Sequence, residues 1–351
     1  MAVRASLEVM PLSIASADRA LGALLDGPPR ALRVLLQTSA AAYLGSTTDD
    51  GEVSRGAQPH LVLVDSGGIT VPDSILLPPG LTWRRLLAPH GANRTAPVLI
   101  GNGYLRCGHR TIAVRPHLDL TAPAVPVHRA AAGLAQIEAA LRNTHQAGRH
   151  GAHQATRPAG PQSAHQLRTA SPWPALHHRW SSGVADPATL VADAPRLIGR
   201  GPGVTPSGDD IVAAAILGHT VLGTPGIGAA AARITELSIG RTTAAALVST
   251  RGAADGRAVE PLRRALSALA QGRDAAVPLR HALSLGHTSG ADLLRGLRDA
   301  FAAVAQSTCI PPAHGASTHA ASTDAASGHS ASTLATSTHP APHGVAERKV
   351  S

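Results

Sequence analysis

Apolar residues between positions 187 and 306 recur at the three-to-four spacing of helices, with glycine and proline at the joins. This pattern predicts helices from Ala188 to Leu197, Asp209 to Leu222, Ala229 to Ala254, Pro261 to Gln271, Val277 to Leu285 and Ala291 to Val304. From about Ala31 to Pro116 the pattern changes to short apolar runs separated by turn residues. Leu61 to Val64 and Ile69 to Val71 flank Asp65-Ser66-Gly67-Gly68, and Asn102-Gly103 sits between Val98-Leu99-Ile100 and Tyr104-Leu105. Asn-Gly between apolar runs predicts a tight hairpin, because both turn residues must adopt positive φ. A connecting amphipathic helix is expected from Val127 to Arg142, with Ala132, Leu134, Ile137, Ala140 and Leu141 on one face.

The pattern fades twice. Residues 144–180 and the tail 307–351 are rich in His, Ala, Ser, Thr and Gly and have few periodic apolar positions, so they cannot repay the entropy of ordering. The expected class is therefore α+β: a β-rich N-terminal domain over 1–143 and a mainly helical domain over 181–306. A disordered His-rich insert and a disordered tail complete the organisation.

Composition narrows the chemistry. Aromatic residues make up 2% of a chain that is 44% hydrophobic, so the core is built from Ala, Leu, Val and Ile, and no base-stacking platform is available. The net charge of +9 comes from scattered arginines and not from a basic stripe, which argues against nucleic acid as a partner. Lys349 is the single lysine, which excludes a P-loop nucleotide site and a pyridoxal Schiff base (PLP). Two cysteines, Cys107 and Cys309, make neither a disulfide framework nor a zinc cluster. No leader pattern opens the chain, and the apolar run from Ile211 is interrupted by His219 and Pro225 before it reaches membrane-spanning length. The expectation is a cytoplasmic protein with no membrane partner. Neither His-rich tract places His-x-x-x-His on a helix, so no metal ligands are assigned, although Mg is compatible with the acidic residues described next.

The densest chemistry lies in Gly201-Pro202-Gly203-Val204-Thr205-Pro206-Ser207-Gly208-Asp209-Asp210. Ser207 reads as a helix N-cap with Asp210 three residues on, an aspartate version of the capping box. The same grammar returns in His287-Thr288-Ser289-Gly290-Ala291-Asp292. Capping alone explains one such motif. Three glycines, a Thr, a Ser and two adjacent carboxylates within ten residues exceed what a cap needs. Helix starts offer N–H groups and a positive dipole end that suit a small anionic substrate. Gly201, Gly203, Thr205, Ser207, Gly208, Thr288, Ser289, Gly290 and Asp292 are the candidate substrate-binding residues. Asp209, Asp210 and His287 are the candidate catalytic groups, with Asp209 expected to face the ligand as hydrogen-bond acceptor, cation ligand or general base. Arg241 and Arg251 are further candidates for pairing with a carboxylate or phosphate, against a default reading as solvent-exposed arginines.

The run from Leu197 through Asp210, followed by Gly286-His287-Thr288-Ser289-Gly290-Ala291-Asp292, resembles the AllH-like family of domains associated with oxamate carbamoyltransferase. The resemblance is strong from about Arg196 to Phe301. It implies a component of a multi-subunit transferase of anaerobic ureide catabolism that converts oxalurate and phosphate into oxamate and carbamoyl phosphate. It also implies hetero-oligomeric partners. The alternative is a non-catalytic partner subunit, or a small-anion-binding protein, in which the glycine-rich loop only packs.

Overall fold

A computed structural model describes residues 14–46, 58–88, 98–108, 110–152 and 187–309. Of the insert expected over 144–180, residues 144–152 are helical and not disordered, as are residues 307–309 of the tail expected over 307–351; the rest of both lies outside the described residues.

The β-rich half is an eight-stranded closed barrel. Its strands are β1 (Ile14–Asp18), β2 (Arg30–Gln37), β3 (Ala41–Gly45), β4 (Pro59–Val64), β5 (Ser74–Leu76), β6 (Val98–Gly101), β7 (Tyr104–Cys107) and β8 (Arg110–Leu118). The order around the wall is β1-β5-β4-β3-β2-β6-β7-β8, and β8 closes onto β1. Two short helices, α1 (Gly22–Asp26) and α2 (Trp83–Leu87), lie in the connections. Asn102-Gly103 makes the expected hairpin: Gly101 pairs with Tyr104, and the turn residues have φ of 51° and 76°.

The second of the two apolar runs around Asp65-Ser66-Gly67-Gly68 does not form a strand. From Ile69 to Val71 the chain continues to Ser74 before pairing with β4, in parallel, at Val62↔Ser74. A parallel neighbour cannot be reached by a tight turn, so the intervening residues cross over. Their apolar side chains serve a cavity described below.

Side chains alternate across the barrel wall. Ala42, Leu44, Leu61 and Leu63 point inward, where they join Trp83, Ile100, Leu105 and Val114 in the barrel core. Their sequence neighbours Ala41, Tyr43, Val62 and Val64 point outward and are buried too, against Ala245 and Val248 of a helix. Burial on both faces is why β4 reads as a continuous apolar run.

The helical half comprises α3 (Ala130–Ala152), α4 (Pro187–Leu197), α5 (Ser207–Val221), α6 (Ile227–Ser238), α7 (Ala244–Ala254), α8 (Glu260–Ala270), α9 (Ala276–Leu283) and α10 (Ser289–Cys309). α3 outlasts its expected end at Arg142, and no proline falls between Arg142 and Ala152 to interrupt it. The helix expected from Ala229 to Ala254 is two helices. Gly240 takes φ of 70°, and the Thr243 side chain caps α7 by accepting from the Ala246 N–H. α5 is buried on nearly every face, and its small residues let α10 and α7 pack close around it.

Barrel and helices lie in one compact unit, pinned by Arg257. Its guanidinium donates to Asp18 at 2.7 Å, Asp73 at 2.8 Å and Asp255 at 2.8 Å. Burial works against this charge, yet Asp73, Asp255 and Asp18 more than offset it and raise the guanidinium pKa.

Candidate functional site

Both Ser-Gly-x-Asp motifs start helices by the same packing device. α5 begins at Ser207 and α10 at Ser289. Ser207 is thus the first helical residue and not the cap: Pro206 holds that position, and it has no side-chain hydrogen bond to offer. The glycine after each serine is pressed onto the end of the preceding helix. A Cβ on Gly208 would sit 2.0 Å from the Leu197 carbonyl oxygen, and one on Gly290 would sit 2.2 Å from that of Ala282. Only glycine allows this approach.

The approach also consumes the N–H groups expected to receive an anion. Gly208 N–H donates to the Arg200 carbonyl at 2.9 Å, Asp209 and Asp210 N–H both donate to Pro206, and Gly290 N–H donates to Leu285. Gly201 and Gly203 lie in the exposed turn leading into α5. His287 and Thr288 are likewise exposed, on the turn before α10.

The two helix starts meet through side chains. Thr205 Oγ1 donates to Asp210 Oδ2 at 3.1 Å and lies 3.0 Å from Ser289 Oγ. In that second contact either hydroxyl can be the donor. Asp210 is 3% exposed, and burial pushes its pKa up to about 7. The Ser289 and Thr205 hydroxyls pull it down, whereas the neighbouring charges of Asp292 and Asp209 push it further up. Tyr43, reaching over from β3, is raised to about 12 by burial and by the Asp210 charge.

Asp209 faces elsewhere. Its Oδ2 accepts the Gly199 N–H at 2.9 Å, tying the turn after α4 to the start of α5. Among the described residues its Oδ1 is buried without a hydrogen-bond partner, as is Thr242 Oγ1. The Asp209 pKa rises to about 6 through burial, opposed by the nearby Thr242 hydroxyl and the Gly199 N–H. Asp292 is paired with Arg295. Of the two singled-out arginines, Arg251 donates to the Pro59 carbonyl at 2.7 Å, and Arg241 is exposed beside the break between α6 and α7.

A cavity of about 220 Å³ opens beside Asp210, between the outer wall of the barrel and helices α5, α7, α8 and α10. Among the expected site residues, Thr205, Asp210 and Ser289 line it, and Asp209 and His287 do not. Tyr43 and Arg257 also line it, and sequence reasoning missed both. Neither carries a local motif. Their only signal is a buried tyrosine in a chain holding two, and an arginine two of whose three carboxylate partners lie in the other half of the molecule. Among the described residues no group of three or more His, Cys, Asp or Glu side chains is placed to hold a metal. Nor is any described helix long and apolar enough to cross a membrane.

Residues 197–301 match the family model described as oxamate carbamoyltransferase subunit AllH, the family that the sequence motifs resemble. No curated protein and no solved structure matches the chain.

Proposed function

We propose, with the AllH match over residues 197–301 as premise, that the chain is a subunit of a carbamoyltransferase-type enzyme acting on a small ureide or oxo-acid amide. The Thr205–Asp210–Ser289 cluster is its contact with the amide end of that substrate. One observation carries this reading: both motifs inside the matched region converge on a single carboxylate at the edge of a cavity.

Phosphorolysis of a ureide breaks the bond between the carbamoyl carbon and the amide nitrogen and forms a carbon–oxygen bond to phosphate. The departing nitrogen must gain a proton. A carboxyl group that titrates near pH 7 is matched to that task, since both its forms are populated where it works. Thr205 and Ser289 orient the carboxyl group. The anionic end of the substrate falls to a partner subunit, because Arg257, the cation that the described residues place on the cavity wall, already faces three carboxylates.

Calorimetric titration of oxamate, oxalurate and carbamoyl phosphate into the purified full chain tests this. Asp210→Asn should weaken binding at least about tenfold, the loss of one charge-assisted hydrogen bond, while the circular dichroism spectrum is kept. Unchanged affinity in a folded Asp210→Asn protein would falsify the assignment.

A further inference from the structure

We infer that Tyr43 is a further catalytic residue, whose phenol donates a hydrogen bond to the carbonyl oxygen of the carbamoyl group being transferred. The inference rests on the reading that Asp210 receives the amide end of the substrate. It adds a second group at that end and the chemistry this group performs.

The hydroxyl is available. Tyr43 is 8% exposed and lines the cavity beside Asp210. A buried tyrosine ordinarily finds a hydrogen-bond partner, yet among the described residues this one has none. Its sheet neighbours cannot provide one, because Tyr43 on β3 pairs with Leu36 of β2 and Val62 of β4, and both are apolar. The Asp210 charge reaches the phenol, but the two share no hydrogen bond, and Asp210 takes the Thr205 hydroxyl instead. An acceptor and a donor therefore face one space without meeting. A ureide fits such a pair, since it presents an N–H donor and a C=O acceptor on neighbouring atoms.

The two groups divide the reaction between them. An oxygen of hydrogen phosphate adds to the carbamoyl carbon, and the C=O electron pair moves onto the carbamoyl oxygen. Tyr43 stabilises that oxyanion, and apolar neighbours such as Val64 and Leu217 strengthen the hydrogen bond by keeping the surroundings low in dielectric. When the C=O re-forms, the bond to the departing nitrogen breaks and the nitrogen takes the proton of the Asp210 carboxyl group. The proton released by the attacking phosphate restores that carboxyl group. The phenol keeps its own proton throughout, since burial and the Asp210 charge push its pKa up to about 12.

The test uses the full chain with tyrosine labelled at Cζ with the NMR-active carbon isotope. Tyr104, which does not line the cavity, is changed to Phe so that Tyr43 is the single tyrosine. Oxalurate and carbamoyl phosphate, which carry the transferred carbonyl, should each move the Tyr43 Cζ resonance downfield, toward the phenolate position, as happens when a phenol donates. In calorimetry Tyr43→Phe should weaken both roughly fivefold, the loss of one neutral hydrogen bond, and leave oxamate, which lacks that carbonyl, unchanged. The melting temperature should not fall, because the hydroxyl has no internal partner to lose. An unmoved or upfield-shifted resonance with oxalurate bound, or equal losses for all three ligands, overturns the inference. If Asp210→Asn weakens binding while Tyr43→Phe does not and the resonance stays in place, the inference falls and the carbamoyl reading survives. If none of the three ligands binds, the carbamoyl reading falls and N-methylurea decides the rest. A downfield shift with it keeps Tyr43 as a donor to ureide carbonyls, and no shift removes that role.

Discussion

The starts of α5 and α10 share a sequence grammar and a packing device but differ in how their first-turn acid is treated. Asp292 is held by Arg295, whereas Asp210 has two hydroxyls, a tyrosine and, among the described residues, no cation paired with it. A Ser-Gly-x-Asp motif therefore specifies how a helix is docked. Whether the acid is paired with a cation is decided by what the rest of the fold brings up to it.

The comparison makes its strongest demand at the two glycines. Gly208→Ala and Gly290→Ala should each cost more than about 4 kcal/mol, since each new Cβ meets backbone that cannot rotate away. Chemical denaturation checks this, and a near-native midpoint for either variant would show the two docking devices to be unequal.

The acids should then separate by pH. Asp210 has a folded pKa of about 7 against an ordinary 3.8. A raised carboxyl pKa means the folded state prefers the protonated form. Its contribution to stability is complete below about pH 4 and is lost as the pH climbs through 7. Asp210→Asn should accordingly be more stable than the parent by roughly 2 to 4 kcal/mol at pH 8, with the difference vanishing near pH 4. Thermal melts across that range provide the measurement, and a pH-independent difference would contradict the assigned environment.

Asp292→Asn should behave in the opposite sense at pH 8. It removes the partner of Arg295 and should destabilise the protein by about 1 to 2 kcal/mol. A stabilising effect like that of Asp210→Asn would erase the distinction between the two helix starts. The smallest effect belongs to the bridge between them. Thr205→Val and Ser289→Ala should each cost about 1 kcal/mol and show a coupling of about 0.5 kcal/mol or more in a double-mutant cycle. Strict additivity would mean the hydroxyls act separately.

The helices were legible because their apolar period and their glycine and proline joins are local signals. Where a local signal was overridden, the cause was tertiary. Ala-rich sequence on both sides of Gly240 reads as one helix until the chain must turn at that glycine and recap at Thr243. Ile69 to Val71 reads as a strand because its apolar residues are genuinely placed against protein, though against the cavity and not within the sheet. Both motifs of the site were visible, but the choice between the adjacent acids was not. Neighbours on a helix point in different directions, and only the packing shows that Asp209 turns back to Gly199 while Asp210 faces the cavity. Tyr43 and Arg257 were silent because their meaning depends on partners far away in the chain. Arg257 and Asp18 are 239 positions apart.

Strand β3 serves two masters along its length. Ala42 and Leu44 hold the barrel together from inside, while Ala41 and Tyr43, between and beside them, present a wall to the cavity. Closure of the barrel and its seating against the helices are thereby written on alternate letters of one short word.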